Sequence, residues 1–254
     1  MRLFFSEYQK DYSSYTFGYA VYAAEVAPEE LPVVYEKGFL PYTGDTGMER
    51  ELFYLARSIR VTFSDFSDTS ENRRIDRKMA TLEPKMEVFS REAFDWKDPQ
   101  FLQFCTGYAG ERFSGGHMNE ERLKYVLTRS YFSHILVFTG APGLLGYVLG
   151  CKGAGFFHYW FAFFDTQYLQ SHSLGKWMMW RTLHWAQEEG LAYAYLGTCY
   201  QRKSLYKARD HKGVAFFDGA GWNENLNQLK ELCEMDEQKP PDCDWHKKQW
   251  RTKQ

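Results

Sequence analysis

The segment from residue 133 to residue 196 constrains the fold of this chain most strongly. Three aromatic or β-branched runs in it are joined by Gly-rich turns, a pattern that predicts an antiparallel meander. The predicted strands are Ser133–Phe138, Leu144–Cys151 and Phe156–Phe164. Ser173 is placed to cap a helix over Leu174–Glu189, and Ala192–Leu196 is typical of a short buried strand. A meander, a helix and a parallel return strand together predict a mixed sheet.

Strand and helix patterns alternate in the rest of the chain. Glu51–Phe66 predicts one extended segment, because apolar and polar side chains alternate there at period two. A helix is expected next, and Asp68, Thr69 or Ser70 can serve as its N-cap. Further strands are predicted at Thr16–Val26 and Met86–Phe89, and further helices at Pro28–Lys37, Pro99–Arg112, Asn119–Arg129 and Leu226–Met235.

Composition excludes several classes of protein. With 254 residues, 44% of them hydrophobic, the chain is large and apolar enough for a substantial core and is not a disordered tail. Its 31 Lys and Arg residues nearly balance its 33 Asp and Glu residues, so the net charge is −2. That balance excludes a uniformly basic nucleic-acid binder but is compatible with a local basic groove.

The cellular location of the protein and the redox state of its cysteines can also be predicted from the sequence. No stretch approaches the roughly 18 to 20 uncharged apolar residues that span a bilayer, and charges appear early in the sequence MRLFFSEYQKDY. We therefore expect a cytoplasmic protein that binds no membrane, with a monomer favoured. Five cysteines occur without a C-x-x-C pair, so we expect reduced thiols and no bound metal.

The predicted order of elements resembles the core of the GNAT superfamily of N-acyltransferases. In that topology, backbone amides at the start of the central helix hold a phosphate or an acyl donor. Members that use acyl-CoA carry an Arg/Gln-x-x-Gly-x-Gly/Ala loop there, whereas this chain has His172-Ser173-Leu174-Gly175-Lys176, with a single Gly. The sequence therefore gives little support to a pyrophosphate cradle.

Short motifs in the chain resemble those of arginyl- and leucyl-tRNA protein transferases, in the same order. In the C-terminal half they are Phe163-Phe164-Asp165, Ser173-Leu174-Gly175, Tyr195-Leu196-Gly197, Tyr206-Lys207 and Gly221-Trp222. In the N-terminal half they are Lys37-Gly38-Phe39, Ser58-Ile59-Arg60-Val61 and Ser70-Glu71-Asn72-Arg73-Arg74. The resemblance rests on order and spacing together and covers roughly residues 30 to 222.

The chain departs from that family at three places. Phe53-Tyr54-Leu55-Ala56-Arg57 stands where the family has a cysteine pair or cluster, so no redox-sensing or cluster site of that kind is expected. Thr166 follows Asp165 where the family has Pro, and Val214-Ala215-Phe216-Phe217-Asp218 replaces F-x-P-x-E-L. We expect these changes to affect acceptor specificity.

The resemblance implies transfer of arginine or leucine from the 3′ ester of an aminoacyl-tRNA to the N-terminal α-amine of a peptide or protein. The ester is already activated, so aminoacyl-tRNA is a co-substrate and no ATP, metal or other cofactor is required. An α-amine, with a pKa of about 7.7 to 8.0, is largely protonated at neutral pH. A nearby group must therefore accept its proton.

Asp165 is the candidate for that proton acceptor. It ends the aromatic run FFHYWFAFF, where an unpartnered carboxylate would have a raised pKa. An Asp that closes a turn at the end of a strand is an equal alternative. The resemblance places Lys207, beside Tyr206, at the 3′ end of the donor or at its phosphate, and a solvated surface Lys is the alternative.

The remaining candidate residues divide between donor and acceptor. Ser173, Leu174 and Gly175 offer amides to the aminoacyl end, or form an ordinary N-cap with a packing Gly. The tRNA phosphates are assigned to basic residues, which are otherwise a solvated charged surface: Arg73, Arg74, Arg77, Lys78, Arg202 and Lys203. The acceptor peptide is assigned to His158, Tyr200 and Arg60, and His158 is alternatively a satisfied core histidine.

We therefore predict an α+β protein with a GNAT-like mixed sheet and flanking helices in residues 95–222. A smaller α/β lobe in residues 1–94 is expected to pack on it and form a cleft, and residues 223–254 are expected to form a helix and a flexible tail. The predicted function is aminoacyl-tRNA protein transferase. Two alternatives stay open: an acyl-CoA-dependent N-acyltransferase, and a catalytically idle protein that binds N-terminal residues.

Overall fold

The computed structural model describes residues 1–7, 19–43, 50–112 and 118–238. Within them the strands are β1 Arg2–Glu7, β2 Tyr19–Ala24, β3 Phe39–Tyr42, β4 Leu52–Leu55, β5 Ser58–Thr62, β6 Lys85–Ser90, β7 His134–Gly140, β8 Gly143–Gly153, β9 Phe156–Phe164, β10 Tyr193–Thr198, β11 Val214–Phe217 and β12 Trp222–Asn223. The helices are α1 Leu31–Glu36, α2 Ser70–Met79, α3 Pro99–Arg112, α4 Glu120–Leu127, α5 Tyr168–Ser171, α6 Leu174–Glu188, α7 Tyr206–Arg209 and α8 Leu226–Gln238.

The chain separates into two compact units. Unit 1 comprises Met1–Arg60, Gly197–Arg209 and Val214–Gln254, and unit 2 comprises Val61–Leu196 and Asp210–Gly213. The division falls within β5 and within β10. The sequence predicts limits at residues 94 and 222 instead. Those domain limits stay a prediction.

Unit 2 is built on a mixed sheet in which β10, β9, β8, β7 and β6 lie side by side in that order. Strands β6 to β9 are antiparallel to their neighbours, whereas β10 pairs with β9 in parallel. The predicted meander, the parallel return strand and the GNAT-like α+β fold class are thereby confirmed.

Helices cover both faces of this sheet, which explains why β9 is an unbroken aromatic run. On one face, α3 and α4 share a core cluster with the sheet in which Phe101 and Phe163 are buried. On the other face, the Trp185 ring of α6 lies 5.0 Å from the Phe157 ring of β9. Trp177, Met178 and Trp180 are buried as well, which confirms α6 as a buried central helix.

Unit 1 contains a four-stranded antiparallel sheet in the order β1-β2-β4-β3, accompanied by α1. This sheet confirms the predicted N-terminal lobe of mixed structure, although β1 is not predicted from the sequence. Gly38 ends α1 as expected: its φ is +80°, and a Cβ there would lie 2.4 Å from the Phe217 ring. Only Gly fits this turn without strain.

The prediction of one extended segment over Glu51–Phe66 is wrong. The structure has two strands there, β4 and β5, because the chain turns tightly at Ala56, whose carbonyl accepts a hydrogen bond from the Ser58 amide at 2.8 Å. The Ser58 hydroxyl fixes the turn by donating to the Gly38 carbonyl at 2.8 Å. Period-two alternation continues across such a break and therefore does not reveal it.

The limits of the other elements follow the sequence closely. The helix α3 has the predicted bounds, and α8 ends at Gln238, three residues beyond the predicted Met235. The predicted flexible tail lies largely outside the described residues, as does the start of the predicted strand Thr16–Val26. None of the helices in the described residues has both the length and the apolar character needed to cross a bilayer.

Candidate active site

The strand β9 loses regular pairing near its middle, on both of its edges. Its parallel register with β10 ends at the pair of His158 and Tyr195, although both strands continue. On the other edge, a β-bulge leaves Trp160 without an opposite residue on β8, because the register there changes between Leu149 and Gly150. Such a bulge bends and twists a strand locally. The second half of β9 therefore departs from β10 just before the chain enters α6.

The start of α6 is shaped by backbone and ring packing, with no side-chain cap. Ser173 occupies the predicted N-cap position before Leu174. Its backbone is left-handed, with a φ of +56°, and its side chain makes no capping hydrogen bond, so the predicted side-chain cap is wrong. The Ser173 carbonyl accepts hydrogen bonds from the amides of Lys176 and Trp177 instead. A Cβ at Gly175 would lie 2.7 Å from the Phe164 ring, so Gly175 serves close packing. Leu174 is fully buried, and binding of a donor by these amides stays a prediction.

The Asp165 carboxylate lies immediately after β9 and is half-buried. Its Oδ1 accepts a hydrogen bond from the Gln167 amide at 2.9 Å, and the Asp165 amide donates to the Leu145 carbonyl. The carboxylate thus closes a turn, as the structural alternative expects. In the described part of the chain, the bond from the Gln167 amide to Oδ1 is the side-chain hydrogen bond of Asp165. Its Oδ2 accepts no hydrogen bond from the described residues, and the catalytic role of Asp165 stays a prediction.

The basic cluster lies on α2. Thr69 caps this helix by accepting from the Asn72 amide at 3.1 Å, and Ile75 is buried as predicted. Arg73, Arg74, Arg77 and Lys78 are all exposed. Arg74 forms a two-point ion pair with Glu71, with both N–O distances 2.7 Å. The cluster therefore presents cationic side chains to solvent, one of them partly neutralised.

The C-terminal end of α2 adjoins the loop that leads into α6. Lys78 Nζ donates to the Ser171 carbonyl at 3.3 Å, and Thr81 Oγ1 lies 3.3 Å from His172 Nε2. Both contacts reach the two residues that precede Ser173. Unit 2 therefore brings the C-terminal end of the basic cluster next to the residues that precede the α6 start.

Asp68 links α6 to the chain before α2. Trp180 Nε1 donates to its Oδ1 at 2.8 Å, and His184 Nε2 lies 2.7 Å from the same oxygen. Burial acts to raise the pKa of Asp68, but these hydrogen bonds outweigh it and hold that pKa below its ordinary value. The sequence pattern gives no sign of this contact, because Asp68 is 112 and 116 residues from its partners.

A second polar pair in unit 2 joins Lys176 to Asp210, whose atoms Nζ and Oδ2 are 2.7 Å apart. The next residue, His211, is buried. Burial lowers the pKa of His211 to about 4, with Asp210 opposing and Lys176 and His184 reinforcing the shift. His211 is therefore a neutral imidazole at neutral pH.

In unit 1, Lys207 is half-buried and donates from Nζ to the Thr198 carbonyl at 2.9 Å. Burial lowers the pKa of Lys207, with the nearby Cys199 opposing the shift. Lys207 is thus held in place and is not a solvated surface lysine. Tyr206, which precedes it at the start of α7, is also half-buried. Their contact with the donor stays a prediction.

Tyr200 has a structural role in unit 1. Its hydroxyl accepts a hydrogen bond from the Arg57 amide at 3.0 Å, and the Arg57 guanidinium lies 4.9 Å over its ring. Burial raises the pKa of Tyr200. Arg57 also forms a two-point ion pair with Asp236, with N–O distances of 2.7 and 3.3 Å. A peptide contact for Tyr200 stays a prediction.

The other predicted residues are distributed over both units. Arg60 pairs with Glu36 at 2.7 Å, and its guanidinium lies 4.3 Å over the Trp222 ring in unit 1. Also in unit 1, Arg202 lies 3.4 Å from both Glu234 and Glu237, and Lys203 is exposed. In unit 2, His158 is buried at 2% exposure. Tyr206, Lys207, Tyr200, Arg60, Arg202 and Lys203 therefore belong to unit 1, and the other candidates belong to unit 2.

The part of the chain that the structure describes contains no group of three or more His, Cys, Asp or Glu side chains suited to a metal ion. The cysteines in it are free thiols, at positions 105, 151, 199 and 233. Cys243 and His246 lie outside the described residues.

Comparison with known proteins identifies the central segment. Residues 132–212 match a family model described as an acetyltransferase (GNAT) domain. These residues include β7 to β10 and α6, the elements that form the meander, the central helix and the return strand. No curated protein matches the chain.

Several solved structures resemble the chain at low sequence identity. L-PGS from Bacillus licheniformis has a TM-score of 0.46 and 12% identity, over 84% of this chain and 71% of the other. The C-terminal domain of a putative lysylphosphatidylglycerol synthetase from Agrobacterium fabrum has a TM-score of 0.47 and 11% identity, over 85% and 71%. FemX has a TM-score of 0.48 and 12% identity, over 79% and 70%.

The matched segment and the strand order show that this part of the chain has the GNAT fold.

Proposed function

We propose that this protein transfers an aminoacyl group, arginine or leucine, from the 3′ ester of an aminoacyl-tRNA to the N-terminal α-amine of a peptide or protein. The resemblance of its motifs to arginyl- and leucyl-tRNA protein transferases suggests this reaction. The observation that supports it best is the contact that Lys78 of the basic helix α2, and Thr81 just after it, make with Ser171 and His172 before α6.

That contact matters because of where a GNAT fold receives its donor. The donor end is expected at the start of the central helix, where backbone amides are exposed. Exposed arginines on the adjoining helix suit a long polyanion that extends away from this point, since phosphate binding depends on local positive potential. In this proposal Arg73 and Arg77, both exposed, contact the tRNA backbone.

The start of α6 also favours an ester donor over a coenzyme A donor. A single Gly stands in the loop, and its Cα side faces the Phe164 ring, where a Cβ would lie 2.7 Å away. A pyrophosphate cradle needs several glycines, so that backbone amides can approach the phosphates closely. An aminoacyl ester has no pyrophosphate and needs no such cradle.

In this proposal Asp165 orients the acceptor ammonium and takes its proton through Oδ2. The free amine attacks the ester carbonyl, the new amide bond forms, and the ester bond to the ribose oxygen breaks. The leaving ribose oxygen takes up a proton. In this proposal that proton is the one that Asp165 accepted from the amine. A contact of Lys207 with the 3′ end is implied by the motif resemblance alone.

The test is a panel of charged tRNAs. The purified protein is incubated with isotopically labelled Arg-tRNA and Leu-tRNA, and with peptides that begin in Asp, Glu or a hydrophobic residue. Label on the peptide α-amine supports the proposal. Absence of transfer from every aminoacyl-tRNA, with protein that melts cooperatively, refutes it.

A second candidate is an acyl-CoA-dependent N-acyltransferase, because the family matched by residues 132–212 is described as an acetyltransferase. Turnover of acetyl-CoA with the same peptides, without transfer from any charged tRNA, would favour it. If peptides bind with micromolar affinity and tRNA does not bind even at low salt, the protein is a binding module for N-terminal residues.

A further inference from the structure

Two buried thiols face each other in unit 1. Cys199 is the first residue after β10, and Cys233 lies on α8. Their Sγ atoms are 3.8 Å apart, and both side chains are fully buried. Disulfide sulfurs lie about 2.05 Å apart, so a bond requires an approach of about 1.7 Å. The bond therefore requires α8 and the segment after β10 to move closer together.

The surroundings make the two thiols unequal. Arg57 Nη1 lies 4.0 Å from Cys233 Sγ and 3.4 Å from the Cys199 carbonyl. The hydrogen bond with Cys199 lowers the pKa of Cys233 most, and the Arg57 charge adds to this effect. The same hydrogen bond, together with burial, raises the pKa of Cys199. One sulfur is therefore suited to be the nucleophile and the other to resolve the product.

We propose that Cys199 and Cys233 are a site of reversible oxidation, at which hydrogen peroxide converts the two thiols into a disulfide that fastens α8 to the segment after β10. This inference concerns the thiols of unit 1 and is independent of the proposed transfer reaction.

The chemistry proceeds in two balanced steps. The Cys233 thiolate attacks one oxygen of hydrogen peroxide, an S–O bond forms, the O–O bond breaks, and the leaving hydroxide takes up a proton to become water. The Cys199 sulfur then attacks the sulfur of the sulfenic acid, the S–O bond breaks, and the hydroxyl leaves as a second water with the Cys199 proton. The two thiols lose two electrons and the peroxide gains two.

Burial decides which oxidant can act. Both thiols are inaccessible in the closed structure, so the oxidant must be small or must wait for α8 to open. Hydrogen peroxide is therefore expected to oxidise the pair faster than oxidised glutathione at equal concentration. Cys105 on α3 provides an internal reference, because burial raises its pKa and it is expected to react much more slowly.

The experiment starts from a Cys243→Ser background, which removes the fifth cysteine and leaves the four described thiols. Folded protein is exposed to hydrogen peroxide, digested without reduction and analysed by mass spectrometry. We expect a peptide pair linked through Cys199 and Cys233, a mass loss of two hydrogens, and recovery with dithiothreitol. The linked form closes a chain segment across 34 positions, so its melting temperature is expected to rise by about 5 to 10 °C.

Two single variants identify the order of the steps. In Cys199→Ser, the reagent dimedone should trap a sulfenic acid on Cys233, and in Cys233→Ser it should label Cys199 at least tenfold more slowly. The variants are compared with unoxidised protein by thermal melting. The proposal is overturned if folded wild-type protein yields no Cys199–Cys233 link at peroxide concentrations that leave Cys105 unmodified. Equal labelling of the two thiols would also overturn the assigned order.

Discussion

Unit 1 and unit 2 differ in the number of chain segments from which each is built. Unit 2 consists almost entirely of one continuous segment, Val61–Leu196, and its sheet follows chain order from β7 to β9. Unit 1 is assembled from three separate segments, and Arg57, Cys199 and Asp236 meet from one segment each. A continuous segment can be predicted from local periodicity. A discontinuous unit depends on partners that are distant in sequence, and these leave no local signal.

The largest expected effect is on the rate of aminoacyl transfer, and it comes from one residue of unit 2. Asp165→Asn in unit 2 should slow aminoacyl transfer by roughly 10² to 10⁴-fold, the usual contribution of a positioned acid or base. The amide oxygen can still accept from the Gln167 amide, so the turn should persist. The measurement is initial rate with the charged tRNA that supports transfer, together with a thermal melt.

Lys207→Met in unit 1 is the matched variant for that comparison. If this variant is inactive while Asp165→Asn retains full activity and its fold, proton transfer depends on unit 1 and Asp165 serves its turn alone.

The next effect concerns the ion pair that joins two segments of unit 1. Arg57→Met should lower the free energy of unfolding by about 3 kcal/mol, because it leaves the Asp236 carboxylate, 10% exposed, without its cation. Lys176→Met in unit 2 should cost a similar amount, about 3 kcal/mol, because it leaves the Asp210 carboxylate, 5% exposed, without its cation. Urea denaturation followed by circular dichroism provides both values.

A control for that prediction replaces both partners. Arg57→Met combined with Asp236→Leu should recover part of the loss, because no unpaired charge stays buried. If the double variant is as unstable as the sum of two single losses, the pair contributes through packing and not through charge.

Buried His211 predicts how unit 2 responds to acid. Its pKa is about 4 in the folded protein against an ordinary value of 6.5, so between those pH values the unfolded chain binds a proton that the native protein does not. The contribution of neutral His211 to the free energy of unfolding is therefore fully present above pH 6.5. As the pH falls towards 4, the free energy of unfolding decreases by at most about 3 kcal/mol.

The measurement is the free energy of unfolding at a series of pH values for wild type and His211→Asn. The groups that face His211 are Asp210, Lys176 and His184, and all three are retained in the variant. A slope between pH 4 and 6.5 that is equal in both proteins would assign the acid sensitivity to other groups.

Substitutions at two glycines of unit 2 should change the free energy of unfolding by smaller amounts and in opposite directions. Gly175→Ala should destabilise the protein by about 1 to 2 kcal/mol, because the new Cβ would lie 2.7 Å from the Phe164 ring. Gly107→Ala on α3 meets no atom within 4 Å and should stabilise by about 0.5 to 1 kcal/mol. Thermal melting compares them, and equal shifts of the same sign would contradict the packing role of Gly175.

The smallest expected effect is on tRNA binding. Arg73→Ala with Arg74→Ala should weaken binding and reduce the slope of log affinity against log salt by about one to two units, while leaving peptide binding unchanged. Both side chains are exposed, so the melting temperature should change little. Lys124→Ala, an exposed lysine on α4 paired with Glu120, is the matched control. An unaltered slope would locate the tRNA elsewhere on the protein.

Part of the candidate site could be predicted from the sequence, and part could not. The position of Asp165 after β9 and the exposure of Arg73 and Arg74 follow from strand ends and helical spacing, and the structure has them as expected. The roles of the same residues stay predictions, since position does not determine chemistry. Ser173 was predicted as a cap because Ser is common there, but its left-handed backbone removes that geometry.

The meander, the central helix and the parallel return strand can be predicted from the sequence, because period-two and helical spacing of apolar residues show which side of each element is buried. The contacts of Asp68 with Trp180 and His184, of Arg57 with Asp236, and of Cys199 with Cys233 become visible in the folded protein and not before. The physical reason is distance along the chain. Polar pairs bring together residues up to 179 positions apart, and their geometry exists only after the apolar surfaces have packed.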